Sequence, residues 1–233
     1  MANPRAGNQS MKNRKFLGIA VGLLGLASFS SSPADAAIIS LHSGNGTIGG
    51  VDSAISMLVG PADTAFGSAF SAADFAAARS GPGAAIISRN GAWLSTASFS
   101  DPSANYISTS AGGASEGGTA LYAIDFTVPA VEIASASVRF NLSVDNFLGG
   151  SPNQGLYLNG TALSGSTSGG HFLAEFNFTR NDIGGLLVSG LNTLYINATD
   201  VGGHSGLLFA ATITTVPSVV TDRGSGGSIP DPT

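Results

Sequence analysis

The groups in this chain that can do chemistry are few and scattered. It carries three histidines (His42, His171, His204), fourteen carboxylates and no cysteine in 233 residues. Without cysteine there is neither a thiolate nucleophile nor a disulfide. Gly113-Ala114-Ser115-Glu116-Gly117 spells the Gly-x-Ser-x-Gly of a nucleophile elbow. That device needs a helix directly after the serine. A strand pattern follows instead, so the segment reads as a flexible loop. Spacing alone does not exclude a Ser-His-Asp triad, but no further motif supports one. Glycoside hydrolysis needs two carboxylates facing each other across roughly 5–9 Å. Glu116, Glu132 and Glu175 are each isolated, with no Glu-x-Asp-x-Glu run that would put such a pair on one strand. The chain therefore reads as non-catalytic, with glycan hydrolysis as the weakest alternative.

Metal chemistry has little more to work with. His171 and Glu175 lie four apart on an expected strand, too far along it to share one ion. His204 follows Asp200-Val201-Gly202-Gly203 in a glycine-rich loop. One imidazole does not make a metal site, so it is either an exposed loop residue or a ligand contact. Calcium takes its oxygen ligands from loops. Asp52, Asp145 and Asp200 are the leading candidates, with Asn146 and Asp182 behind them. There is no EF-hand spacing. A structural calcium is thus the one cofactor the sequence leaves open, and no other is expected.

The aromatic residues suit recognition better than catalysis, because an exposed ring matches the apolar C–H face of a sugar. Trp93, the single tryptophan, and Tyr106, Tyr157 and Tyr195 are candidates. Trp93 reads as core or as a stacking platform. Tyr157 and Tyr195 fall opposite the apolar sets of their strands, which predicts exposure. Asp145-Asn146 closes one apolar alternation, and Leu156-Tyr157-Leu158-Asn159-Gly160 opens the next. The loop between is longer than a hairpin needs. It reads first as a turn fixed by side-chain-to-backbone bonds and second as the rim of a site. The candidate binding set is Trp93, Tyr106, Asp145, Asn146, Tyr157, Asn159 and His204.

Positioning these residues falls to strands. Tyr122, Ile124, Phe126 and Val128 share one face of 119–128. Val138, Phe140, Leu142 and Val144 do so in 136–144. Phe172, Ala174, Phe176 and Phe178 do so in 171–179, Leu194, Ile196 and Ala198 in 191–199, and Leu207, Phe209, Ala211 and Ile213 in 206–214. A period of two with turn residues between runs marks strands with one buried face. Segments 38–42 and 85–89 read as further strands. Ser71 to Asp74 forms a capping box before the alanine-rich stretch 75–78, which predicts one short helix ended by Gly81-Pro82-Gly83. Residues 184–189 read as a helical turn or an irregular connection. There is no room for βαβ crossovers. The fold class is all-β, an antiparallel β-sandwich or jelly roll.

The first 36 residues belong to another purpose. A basic run (Lys12 to Lys15), an apolar stretch (Phe16 to Ala27) and Ala34-Asp35-Ala36 make up a secretory signal peptide. The apolar stretch is shorter than the ~20 residues a membrane span needs. Met11 is an alternative start. Cleavage after Ala36 leaves residues 37–220 as the domain and 221–233 as a flexible glycine- and serine-rich linker. The mature chain then holds five arginines, no lysine and thirteen carboxylates, a net charge of −8. That balance argues against nucleic acid and against anionic membrane surfaces. The expected location is secreted or cell-surface.

Two resemblances follow from these residues. "GLYLNGTALSG", "HFLAEFNFT" and "LLVSGLNTLYI" resemble the galactose-binding-like jelly roll, with Leu187, Gly190, Asn192 and Leu194 forming its L-x-x-G-x-N-x-L element. Over nearly the whole mature chain, the order of Gly50-Val51-Asp52, Ala92-Trp93-Leu94, Tyr122 to Phe126, Asp145-Asn146 and Gly202 to Leu207 resembles PEP-CTERM (exosortase-sorted) bacterial secreted proteins. Ile229-Pro230-Asp231-Pro232-Thr233 is similar to the start of their sorting tail, with Asp where Glu is usual. The apolar helix and arginine cluster that complete such tails do not follow, so a sorting partner is expected only if the chain is truncated here. The resemblance implies a non-catalytic, exported protein that touches polysaccharide weakly through loops at one end. The alternative is a purely structural matrix or biofilm protein without a small ligand.

Overall fold

The computed structural model describes residues 36–112, 114–129, 133–169 and 171–218. Residues 1–35 of the expected signal peptide, the expected 221–233 linker, Gly113 of the Gly-x-Ser-x-Gly match and Glu132 lie outside them. Twelve strands and one helix follow in chain order: β1 (Ala37–His42), β2 (Val51–Val59), α1 (Ala72–Ser80), β3 (Gly83–Ile86), β4 (Ile107–Ser108), β5 (Ala120–Val128), β6 (Ile133–Asp145), β7 (Phe147–Leu148), β8 (Leu156–Leu158), β9 (Thr161–Ala162), β10 (Phe176–Arg180), β11 (Gly190–Thr199) and β12 (Gly206–Pro217). All pairings are antiparallel. They build one strongly curled sheet in the order β10-β6-β12-β4-β3-β2-β5-β11-β8-β9, with β1 added to β12 and β7 to β11. No helix among the described residues is long and apolar enough to cross a membrane.

The four long strands behave as their alternation predicts. Tyr122, Ile124, Phe126 and Val128 of β5 and Leu194 and Ile196 of β11 meet Val138, Phe140, Leu142 and Val144 of β6 and Leu207, Phe209, Ala211 and Ile213 of β12 in one core. Phe140 and Phe209 stack at its centre, with ring centroids 5.4 Å apart and planes 13° from parallel. Such a pair adds roughly 0.5–1.5 kcal/mol beyond the area it buries.

The outer face of the sheet is covered in two places, each with its own small apolar cluster. α1 lies over β5, β8 and β11, where Phe75 and Ala78 meet Leu121, Ala123, Tyr157 and Tyr195. The capping box starts the helix as expected: Asp74 N–H donates to Ser71 Oγ and Asp74 Oδ2 accepts from Ser71 N–H at 2.8 Å. Arg79 ends it with a fork onto Asp125 of β5, at 3.1 and 2.8 Å. Both partners are about 40% exposed, so the pair contributes on the order of 1 kcal/mol or less. Burial alone would push the Asp125 carboxyl up, but hydrogen bonds from Arg79 and Thr193 outweigh it and hold it low. The second cover is the 87–106 segment, whose Trp93, Phe99 and Tyr106 pack with Leu208 of β12.

Gly81 shows how closely α1 is set down. A Cβ there would stand 1.9 Å from the Met57 carbonyl oxygen, a backbone atom that cannot turn aside. Gly81→Ala is expected to destabilise by about 1–3 kcal/mol, read as a lower denaturant midpoint with an unchanged slope. Destabilisation below the 0.5 kcal/mol typical of a neutral surface change would contradict this packing.

Three expectations are corrected. β2 was not foreseen, because Asp52 occupies one of its buried positions and the register shifts between Asp52 and Ser56, which breaks the alternation. The third strand is Gly83–Ile86 rather than 85–89. Only the second half of 171–179 is strand. His171 to Glu175 form a turn whose backbone bonds go elsewhere: Leu94 N–H donates to Phe172 O and His171 N–H to Val144 O. Phe172 packs against the Trp93 cluster and not in the core with Phe178.

Candidate functional site

Three strand ends deliver chemistry to one end of the sheet. β6 finishes at Asp145, opposite Gly206 at the start of β12. β11 finishes at Thr199, and Asp200 to Ser205 connect it to β12. Trp93 arrives from the covering segment, 52 residues earlier than Asp145, and its indole N–H donates to Asp145 Oδ2 at 2.8 Å. The indole lies 4.8 Å from the Tyr106 ring. Tyr106 OH shares a 2.9 Å bond with Ser143 Oγ and donates to Leu94 O. Gly206 permits the approach: a Cβ on it would stand 2.4 Å from the indole Cη2.

Asn146 completes the lock. Its Nδ2 donates to Asp145 Oδ1 at 2.8 Å, and its Oδ1 accepts from Val201 N–H at 2.9 Å. Asp200 caps its own loop by accepting from Gly202 N–H, while its N–H donates to buried Thr119 Oγ1. Burial pushes the Asp145 carboxyl up from its ordinary value, with help from the Asp200 charge. The Trp93 N–H and the nearby His204 pull it back. Both carboxylate oxygens of Asp145 are thus engaged by the protein. The group acts as a structural acceptor that ties the covering segment to the loops.

Of the sequence-derived candidates, Trp93, Tyr106, Asp145, Asn146 and His204 come to this end. Trp93 and Tyr106 are buried, with 3% and 1% of their surface exposed, so neither presents a stacking face. Tyr157 and Asn159 sit apart from it, on β8 and the turn after it. The expected exposure of Tyr157 and Tyr195 is wrong: α1 covers both, with Phe75 5.2 and 4.7 Å from their rings. Tyr157 OH is committed too, accepting from Gln154 N–H. Asn159, at φ +50°, forms the tight turn with Gly160. Its amide donates to Leu186 O and Asn192 Oδ1, and its Oδ1 accepts from Thr193 N–H. The leading calcium candidates do not converge. Asp52 accepts from Asn45 and Ala54 N–H, away from Asp145 and Asp200, and Asp182 pairs with Arg180. Among the described residues no three His, Asp or Glu side chains are placed to hold a metal ion.

Two features at this end escaped the sequence reading. Phe147, just after Asp145-Asn146, keeps 39% of its surface exposed on the rim, and Val201 keeps 51%. Its position directly behind a strand-end pair, outside either apolar alternation, was the available signal. Ser168 Oγ and His171 Nε2 lie 2.6 Å apart, with the imidazole stacked on Phe176. Among the described residues no carboxylate bonds the other ring nitrogen of His171, so the pair lacks the third member that orients a catalytic base.

No protein-family model and no curated protein matches the chain. Among solved structures, it is similar to one described as a "putative beta-galactosidase from bacteroides fragilis", at 14% identity and a TM-score of 0.37. The match covers 76% of this chain and 23% of that one, so the chain spans under a quarter of that protein's length.

Proposed function

We propose that this is an exported, non-catalytic protein of the cell surface or extracellular matrix that contacts polysaccharide weakly at the loop end of its sheet. The observation that carries the proposal is Phe147. It is a ring with 39% of its surface exposed, next to Asn146 in the chain, on a base held rigid by the Trp93–Asp145–Asn146–Val201 bonds. A ring held in this way can meet a sugar's apolar face with little ordering cost. In this reading the curled sheet is a galactose-binding-like jelly-roll sandwich, with β5 and β11 facing β6 and β12. The motif order supports a place among the PEP-CTERM secreted proteins, sorted by exosortase-type machinery where the full tail is present. The signal-peptide pattern supports export.

A glycan array with the full chain tests the proposal. Reproducible binding to one glycan class is expected, weakened about 3–10-fold by Phe147→Ala with an unchanged melt. Silence across the array from folded protein would sink it. The purely structural alternative has one observation of its own: β1 is bonded to β12 alone and leaves Ile38 70% exposed at the sheet margin, a surface for self-association. Concentration-dependent assembly without glycan binding would favour that alternative.

A further inference from the structure

We propose that a groove on the outer face of β6, β12 and β1 binds a carboxylated saccharide, a uronic-acid unit of an acidic polysaccharide, with Arg139 taking its carboxylate. The assignment rests on the polysaccharide reading and adds a second site and a ligand class to it. The groove encloses about 360 Å³ and is lined by Ser40, Ser100, Asp101, Arg139, Asn141 and Thr212, with Ala210 as its small-residue floor.

Strand register builds it. Thr179, Arg139, Thr212 and Ser40 are neighbours in one row across β10, β6, β12 and β1. At ~4.8 Å per strand, that row spans roughly 15 Å. A guanidinium therefore lies among hydroxyls, the functional groups that match a sugar acid. The next row, Asn177, Asn141 and Ala210, dips at the alanine. Asn141 is nine-tenths buried beside the groove, and its Nδ2 donates to Ser100 Oγ at 2.7 Å. Among the described residues its Oδ1 has no hydrogen-bond partner.

Arg139 is set apart from the other described cations. Arg79 and Arg180 are paired with Asp125 and Asp182, and Arg89 donates to the Gly91 and Trp93 carbonyls. Arg139 is exposed, and among the described residues its one side-chain hydrogen bond is a long 3.5 Å contact to Asn177 Oδ1. An arginine fork without a carboxylate, in a chain this acidic, selects a planar anion that can be gripped by two parallel bonds. The protein's overall negative charge does not forbid this. It is screened beyond about 8 Å at physiological salt, whereas the contact with Arg139 is direct. Within the groove, Asp101 opposes an anion.

The test is titration calorimetry of the full chain with oligogalacturonate and with its carboxyl-reduced, neutral counterpart. The acid is expected to bind at least about tenfold more tightly. Arg139→Gln should remove that preference with an unchanged melt, as expected for an exposed side chain. Asp101→Asn should strengthen binding of the acid, which a purely structural Asp101 would not do. Equal affinity for both sugars, or an acid preference that survives Arg139→Gln, overturns the groove assignment while leaving the polysaccharide reading standing. So does glycan binding abolished by Phe147→Ala but indifferent to Arg139→Gln. If no saccharide binds to folded protein, both fall.

Discussion

Trp93→Ala will lower stability by about 3–5 kcal/mol. The indole is almost wholly buried between Tyr106 and the start of β12, in a space cleared by Gly206, so the surroundings have little freedom to collapse into the void. The substitution also strips Asp145 of its Trp93 bond. Trp93→Phe separates the two effects. It keeps an aromatic ring but loses the N–H together with part of the bicycle, so only the pH-dependent part of its deficit reports on the Asp145 bond. An acid whose folded-state pKa is raised loses stabilising effect as pH climbs from the unfolded value through the folded one. Burial already raises Asp145, and the Trp93 bond restrains the rise. Removing the bond lifts the folded value further. The deficit of Trp93→Phe relative to the parent should therefore be at its smallest, the packing loss alone, below about pH 4 and grow towards neutrality. Denaturant unfolding across that range measures it. A deficit flat with pH would mean that the indole bond does not govern the carboxyl.

Asn192→Ala will be nearly as damaging. Asn192 is 1% exposed and serves four bonds: Nδ2 donates to Val188 O and Gly190 O, and Oδ1 accepts from Val188 N–H and Asn159 Nδ2. This one side chain closes the turn into β11 and ties it to the turn after β8. Each polar group left without a partner costs roughly 1–3 kcal/mol where water cannot replace the bond. With some groups rescued by solvent, a total of about 3–5 kcal/mol is expected. Hydrogen exchange should accelerate first at Val188 and Thr193, whose amides depend on this network directly or through Asn159. A loss under about 1 kcal/mol, no more than one typical hydrogen bond, would show that the turn holds by backbone geometry alone.

How much of this was legible in the sequence depended on what each residue faces. β5, β6, β11 and β12 were readable because one face of each enters a single core, which imposes a period of two. The α1 capping box was readable because its signal is local. The exposure of Tyr157 and Tyr195 was misread for a physical reason. Alternation reports two faces of a strand, but not whether a helix from elsewhere covers the second. β2 was missed because Asp52, a carboxylate, is fully buried there, bonded to the Asn45 and Ala54 amides. At the candidate site, Asp145-Asn146 was readable as the polar end of a strand, whereas its side chains bond far along the chain rather than closing a local turn. Its partners Trp93 and Val201 were not, since nothing local marks a bond across so much chain. The Arg139 row depends on the register of four strands, which no single segment encodes.

The pairing of β1 with β12 has a consequence for the order of folding. Ala37 is the register partner of Thr215, so the first strand of the sheet is completed by the last. β12 also lies against β6 and touches β4. Until β12 exists, β6 lacks a neighbour along most of its length, β1 has none, and Phe140 has no Phe209 to stack on. Contacts this distant along the chain form slowly, because the loop must close before they reward it. A chain emerging from its amino end therefore holds no complete core until its final strand is present. The topology itself postpones folding until that strand is available, which would keep the chain threadable for the export proposed above.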